Sequence, residues 1–201
     1  MAEIYVAKRK FYQEDLSKYF LVEYLKNSYV DPDISSLVDN HDITQDFHFS
    51  DENVKRRIEQ HSHFFENGFE ADRRVYASLV SPEMGYGLFA ELFIPAWTII
   101  GEYTGVITNK TLNTDYAWIY HSKVKDKDGN QMKLRVNART CGNMTRFANH
   151  NDYPNCSVIH VPYKNRWRTL YITNTNIIPD QELTVYYGET YWEDRNKKTD
   201  I

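Results

Sequence analysis

A chain of 201 residues has room for one sizeable core and an appended segment, not for two ordinary large domains. Its 41% hydrophobic and 26% charged residues are those of a globular protein, and no run of about 18 apolar residues offers a membrane-spanning helix. A net charge of −4 carries no basic stripe of the kind that binds nucleic acid directly.

The opening Met1-Ala2-Glu3-Ile4-Tyr5 lacks the basic and apolar regions of a secretory signal. The expected setting is soluble and intracellular, cytoplasmic or nuclear; for a chain from an intracellular bacterium, export without such a signal would let it act as an effector in a host nucleus. Residues 13–28 place Leu16, Tyr19, Phe20, Glu23, Tyr24 and Asn27 at three- and four-residue spacings, with Leu21 and Leu25 widening the apolar face. That spacing predicts an amphipathic helix. Residues 29–49, with Pro32 and several Asp, read as loop-rich. A second helix is predicted from Ser50 as N-cap, with Asp51 and Glu52 in its first turn, Val54, Ile58, His61 and Phe65 on one face and Gly68 as its stop.

Charge is uneven along the chain. Residues 1–70 hold 8 basic and 14 acidic side chains, a balance of −6, and no Lys or Arg lies between Asn27 and Val54. This reads as a solvated acidic connector, with a surface for a basic peptide as the functional alternative.

From Arg73 the period changes. Val75 to Val80 looks like a strand, followed by Gly85-Tyr86-Gly87-Leu88-Phe89-Ala90. The Gly-x-Gly lacks the third glycine and the βαβ setting of a dinucleotide-binding turn. Ile94 to Ile107 contains Gly101-Glu102-Tyr103-Thr104-Gly105, and residues 123–136 read as a hairpin around Asp128-Gly129. Then comes Arg146-Phe147-Ala148-Asn149-His150-Asn151-Asp152-Tyr153-Pro154-Asn155, a polar stretch where Pro and Asn punctuate the backbone. Cys156 to Val161 and Arg168 to Ile172 look like two strands joined by a turn, ahead of Glu182-Leu183-Thr184-Val185-Tyr186-Tyr187-Gly188. Cys141 and Cys156 have neither CxxC partners nor His at metal spacing, so no metal site and no disulfide framework is expected.

These spaced segments together resemble the SET-domain protein lysine methyltransferases, whose patterns run roughly G-x-G-[LIV]-[FY]-A, G-E-Y-x-G-E-V, D-A-x-x-x-G-N-x-x-R-F-x-N-H-S-C-x-P-N and E-L-x-x-D-Y-G. The resemblance covers roughly residues 73–192. It implies a mostly β SET fold with knot-like C-terminal motifs, preceded by a small helical N-terminal segment: residues 1–70 as a helical extension, 71–195 as the SET domain and 196–201 as a short tail. The fold derives from the family, which brings residues 146–155 beside 182–188.

The resemblance also implies roles. Tyr187, the last Tyr of its motif, takes the catalytic position; Tyr103, Tyr187 and Val185 line the substrate-lysine channel. S-adenosylmethionine is the implied cofactor, held by Gly85, Tyr86, Gly87, Tyr116, Arg146, Asn149, His150 and Trp192. Arg146, Tyr103 and Tyr116 each have a packing reading beside the functional one, and Trp192 is placed over the adenine or the channel. Three residues depart from the pattern: Asn151-Asp152 stand for the usual Ser-Cys, and Tyr186 for the usual Asp. The missing C-terminal cysteine cluster matches the compact, zinc-free bacterial and viral branch.

The implied function is S-adenosylmethionine-dependent lysine N-methylation of a basic protein tail, a histone or histone-like protein foremost. The alternative is a degenerate SET module that binds a peptide or partner protein without turnover. The N-terminal helices are expected to pack on the domain, to form a homodimer, or to supply the acidic side of the substrate groove, with neither membrane nor nucleic acid as partner.

Overall fold

The computed structural model describes residues 9–46, 49, 52, 56, 60, 64, 65, 74–110, 115–189 and 191. Its strands are β1 (Glu23–Tyr24), β2 (Tyr29–Val30), β3 (Val75–Ser81), β4 (Gly85–Ala90), β5 (Ile99–Glu102), β6 (Val106–Thr108), β7 (Ala117–Ile119), β8 (Arg135–Asn137), β9 (Cys141–Gly142), β10 (Asn149–His150), β11 (Cys156–Tyr163), β12 (Arg166–Thr173) and β13 (Glu182–Val185). They form four small sheets, ordered β1-β9, β10-β13-β4-β3, β11-β12-β5 and β2-β6-β8-β7. Among the continuously described segments, two short α-helices, α1 (Leu16–Phe20) and α2 (Ser35–Asp39), precede β3. This is the mostly β arrangement that the family resemblance implied.

Local sequence explains the hairpins. β3 is rich in β-branched and aromatic residues and pairs antiparallel with β4 from Val75↔Ala90 to Leu79↔Tyr86. The turn between them ends on Gly85 at φ +76°, a conformation that glycine adopts without steric cost. β11 and β12 pair through Tyr163↔Arg166, and both intervening residues, Lys164 and Asn165, are left-handed, as a two-residue turn of type I′ requires. The turn predicted at Asp128-Gly129 is present, with Gly129 N–H donating to Asp126 O at 3.1 Å. Its flanks form an isolated bridge at Lys125↔Gln131, with Asp126 N–H donating to Asn130 O and Met132 N–H to Val124 O at 2.8 Å each, and the regular strand starts later, as β8 against β7.

The single helix predicted over 13–28 is not found. A 3-10 turn at Gln13–Asp15 leads into α1, which stops on Leu21 at φ +55°. Glu23 and Tyr24 then run parallel to Cys141 and Gly142, with Glu23 N–H donating to Thr140 O at 2.9 Å and Leu25 N–H to Gly142 O at 2.8 Å. Non-local strand pairing has overridden helical spacing, because a short helix gains little from propensity alone. Residues 29–46 also hold more order than expected: β2 runs parallel to β6, and Asp31 and Asp42 cap 3-10 turns at Pro32–Ile34 and Ile43–Gln45. In the predicted second helix, Glu52, Arg56, Gln60, Phe64 and Phe65 are helical, and the Phe65 ring stacks on Tyr163 at 4.7 Å. Ser50, Asp51, Val54, Ile58, His61 and Gly68 lie outside the described residues.

Much of the acidic run is paired within the fold. Asp31 and Asp33 hold Lys110 at 2.9 and 2.8 Å, and Asp39 pairs with Arg166. Asp46 is buried, accepting from Lys123 N–H and Trp167 Nε1 at 2.7 Å each, with His41 Nε2 at 2.8 Å. Phe11, Leu16, Val22, Val30, Ile34 and Val38 belong to the same apolar cluster as Leu88, Ile94, Tyr103, Phe147 and Leu183. Residues 9–46 thus share one core with the strands that follow.

Candidate functional site

The site begins where β5 runs into Tyr103. Tyr103 N–H donates to Thr169 O at 2.7 Å, fixing the residue against β12. The Glu102 carbonyl accepts from Asn143 Nδ2 at 2.7 Å, which ties β5 to a 3-10 turn at Met144–Phe147 capped by the same Asn143 side chain. A β-carbon at Gly105 would collide with the Asn137 carbonyl, so the Tyr-x-Gly bend needs its glycine for this close approach of β6 to β8.

Under this bend lies a buried carboxyl. Glu102 is 2% exposed; Oε1 meets Arg168 Nη1 at 3.2 Å, while Oε2 has no partner among the described residues. Burial, opposed by Arg168, pushes the carboxyl up to about 7. The unfolded chain takes up this proton only near 4.5, so between 4.5 and about 7 the folded state holds more proton than the unfolded state. Stability contributed by the protonated carboxyl is therefore full below that window and lost as pH rises through it, by roughly 3 kcal/mol. Glu102→Gln should flatten this part of the profile. Chemical denaturation at about pH 5 and about pH 8 tests it, since equal losses in both proteins would remove Glu102 as the cause.

After the 3-10 turn the chain forms β10, which lies parallel to β13 with Asn149↔Thr184 and His150↔Val185 in register. This is the expected meeting of residues 146–155 with 182–188. Beyond β13 the backbone turns back, and Tyr187 is clamped at both ends: its N–H donates to His150 Nδ1 at 3.2 Å and its hydroxyl donates to Ala148 O at 2.9 Å. Because His150 Nδ1 accepts, the ring hydrogen belongs on Nε2, which faces Asp152 Oδ1 at 3.1 Å. Burial, reinforced by Tyr191 and Tyr116, pushes the Tyr187 phenol well above its ordinary value, so it stays protonated at neutral pH.

Tyr187 lies on a cavity of about 500 Å³. One part of the lining is aromatic: Tyr103, Trp118, Tyr171 and Tyr187, with Trp118 Nε1 donating to the Tyr171 hydroxyl at 2.6 Å and the Trp118 ring 6.1 Å edge-on from Tyr187. The other part holds Tyr86, Tyr116, Arg146, Asn149 and His150, together with Glu83, Met84 and Asp115. Arg146 is buried, gives Nε to Ala138 O at 2.9 Å and Nη2 to Arg139 O at 3.3 Å, and lies over the Tyr116 ring at 4.0 Å. Its packing and cavity-lining readings both apply.

The fold therefore gathers Tyr86, Tyr103, Tyr116, Arg146, Asn149, His150 and Tyr187 around one space. Gly85 and Gly87 sit on β4 without lining it. Val185 is 0% exposed within the apolar cluster and is not among the lining residues. Trp192 lies outside the described residues, while its neighbour Tyr191 does line the cavity, 4.6 Å from the Tyr187 ring. Sequence reasoning gave neither Trp118 nor Tyr171 a site role of its own. Trp118 had a usable signal, standing two residues after Tyr116; Tyr171, inside a mostly buried strand, had none.

A family model described as "SET domain" matches residues 85–188, just over half of the chain. The chain is similar to a "Histone-lysine N-methyltransferase, H3 lysine-36 specific" of Cryptococcus neoformans var. neoformans, 31% identical over 122 residues that make up 58% of this chain and 15% of that protein. Among solved structures it resembles ATXR5 in complex with histone H3.1, at TM-score 0.64 and 16% identity over 88% of this chain and 86% of that one. It also resembles ctPRC2 in an autoinhibited conformation bound to S-adenosylmethionine, at TM-score 0.52 and 20% identity over 73% of this chain and 20% of that one.

Proposed function

This chain belongs to the SET-domain family, and from that premise we propose that it methylates lysine side chains of basic protein tails, histones or histone-like proteins foremost, using S-adenosylmethionine. The observation that carries the reading is Tyr187, held at both ends in an aromatic-walled cavity beside Asn149 and His150. The histone-lysine methyltransferase name of the Cryptococcus relative and the S-adenosylmethionine in the ctPRC2 structure support it.

The lining suits this cofactor. Aromatic faces favour a sulfonium cation, the Arg146 guanidinium keeps N–H groups beyond those given to carbonyls for a carboxylate, and Asn149 and His150 offer polar partners. When bound, S-adenosylmethionine supplies an electrophilic methyl group on a positively charged sulfur. The chain's own task is to admit a lysine amine as the free base, although its unperturbed pKa is about 10.4. Walls formed by Tyr103, Trp118, Tyr171 and Tyr187 desolvate the amine and lower that value. Tyr187 remains a neutral phenol, so it orients the amine and does not take its proton. Most of the acceleration then comes from positioning.

Transfer of labelled methyl from S-adenosylmethionine to core histones, histone-like basic proteins and the chain itself tests the reading. Label is expected on a basic tail. The second reading, a module that binds without turnover, draws on Tyr186, which replaces the usual Asp and lies half-exposed 5.3 Å from the His150 ring. Tail binding with neither label nor calorimetric cofactor affinity would favour it.

A further inference from the structure

We infer that Glu182 is a positioning residue for this site: its carboxylate fixes the Asn149 side-chain amide so that the amide oxygen faces the cavity as an acceptor. Asn149 Nδ2 donates to Glu182 Oε1 at 2.8 Å and to Tyr86 O at 3.3 Å. A carboxylate and a carbonyl only accept, so the amide nitrogen must face them, and a flipped amide would set oxygen against oxygen. Among the described residues, the sealed side-chain atoms without a partner are Ser78 Oγ, Glu102 Oε2, Ser122 Oγ and Arg168 Nε. Asn149 Oδ1 accepts nothing from these residues and is not sealed, and the open space beside it is the cavity.

Glu182 is itself held for this purpose. Its carbonyl accepts from Asn155 Nδ2 at 2.7 Å, and Asn155 Oδ1 accepts from Thr184 N–H at 2.9 Å, so one side chain pins the start of β13. Across the sheet, a β-carbon at Gly87 would collide with the Glu182 carboxylate. The second glycine of the Gly85-x-Gly87 segment thus leaves the room into which the carboxylate folds. An arrangement in which β4 gives up a side chain so that β13 can reach β10 is more than a strand contact.

The consequence rests on the S-adenosylmethionine reading. An oriented amide oxygen attracts an N–H donor, and the strongest that this cofactor carries is its α-ammonium. Without Glu182 only the 3.3 Å bond to Tyr86 O holds the amide, which can then turn and present its own N–H groups to that cation.

Calorimetry of the full chain with S-adenosylmethionine supplies the first test. Glu182→Leu should weaken binding roughly tenfold, whereas Glu182→Gln, which keeps an acceptor oxygen, should stay within about threefold. In an Asn149→Ala background Glu182→Leu should add nothing, because its effect passes through Asn149. An unchanged affinity, or an equal loss in both backgrounds, overturns the inference. The second readout needs no cofactor: exchange protection of the Asn149 side-chain amide protons, expected in the parent chain and Glu182→Gln and lost in Glu182→Leu. If the parent chain binds no S-adenosylmethionine, the functional reading falls, and persistent protection in Glu182→Leu would still overturn the positioning role.

Discussion

Replacing Tyr187 by Phe is expected to lower methyl transfer by about a hundredfold while leaving cofactor affinity within about threefold. The substitution removes one oxygen and keeps the ring, so the edge-on contact with Trp118 and the backbone bond to His150 survive. What disappears is the hydroxyl that donates to Ala148 O, and with it the fixed position of the oxygen beside the reacting amine. Stability should fall by only about 1 kcal/mol, the net worth of one such bond. Single-turnover transfer with the labelled cofactor, alongside calorimetry, separates chemistry from binding. Undiminished transfer would remove Tyr187 from the mechanism, and a matching collapse of cofactor affinity would recast it as a binding residue.

Leu16→Ala should destabilise the whole protein by about 2–5 kcal/mol, the range for a large core side chain cut back to a methyl. Leu16 is 0% exposed in α1 and packs in the cluster that includes Leu88 and Leu183. A helix appended to a finished domain would unfold at little cost. Leu79, 46% exposed on β3, provides the control, and Leu79→Ala should stay within about 0.5 kcal/mol. Urea denaturation followed by fluorescence and circular dichroism should give one shared transition shifted by Leu16→Ala. Two separated transitions, with only the weaker one moved, would make residues 9–46 an independent unit.

The residues that drew notice in the sequence did so through spacing, and spacing is a good guide where local chemistry dictates the bend. Asn149 and Gly105 were legible because each stands inside one of the spaced segments, and the structure adds the reason at Gly105, where a side chain would meet the Asn137 carbonyl. The helix expected over 13–28 failed for a different reason: Glu23 and Tyr24 are claimed by Cys141 and Gly142, more than a hundred positions away, and periodicity within one segment carries no word of that partner. The acidic run misled similarly, since its partners Lys110, Arg166 and Trp167 lie far along the chain. Val185 and Tyr171 mark the limit of alternation as a tool. Leu170 and Tyr171 are buried side by side in β12, as are Leu183, Thr184 and Val185 in β13, so alternation does not announce which face meets the cavity.

The sheet order β10-β13-β4-β3 places the last strand among the described residues in the interior of its sheet. On a ribosome, the β3–β4 hairpin and β10 would emerge first, each with an unpaired edge, and both edges would wait for residues 182–185. Tyr103, Trp118 and Tyr171 would already be made, yet no walled site would exist until that strand slid between its neighbours. Open strand edges recruit other chains. Loss of the β13 segment would therefore show itself as precipitation during synthesis before it showed itself as lost activity.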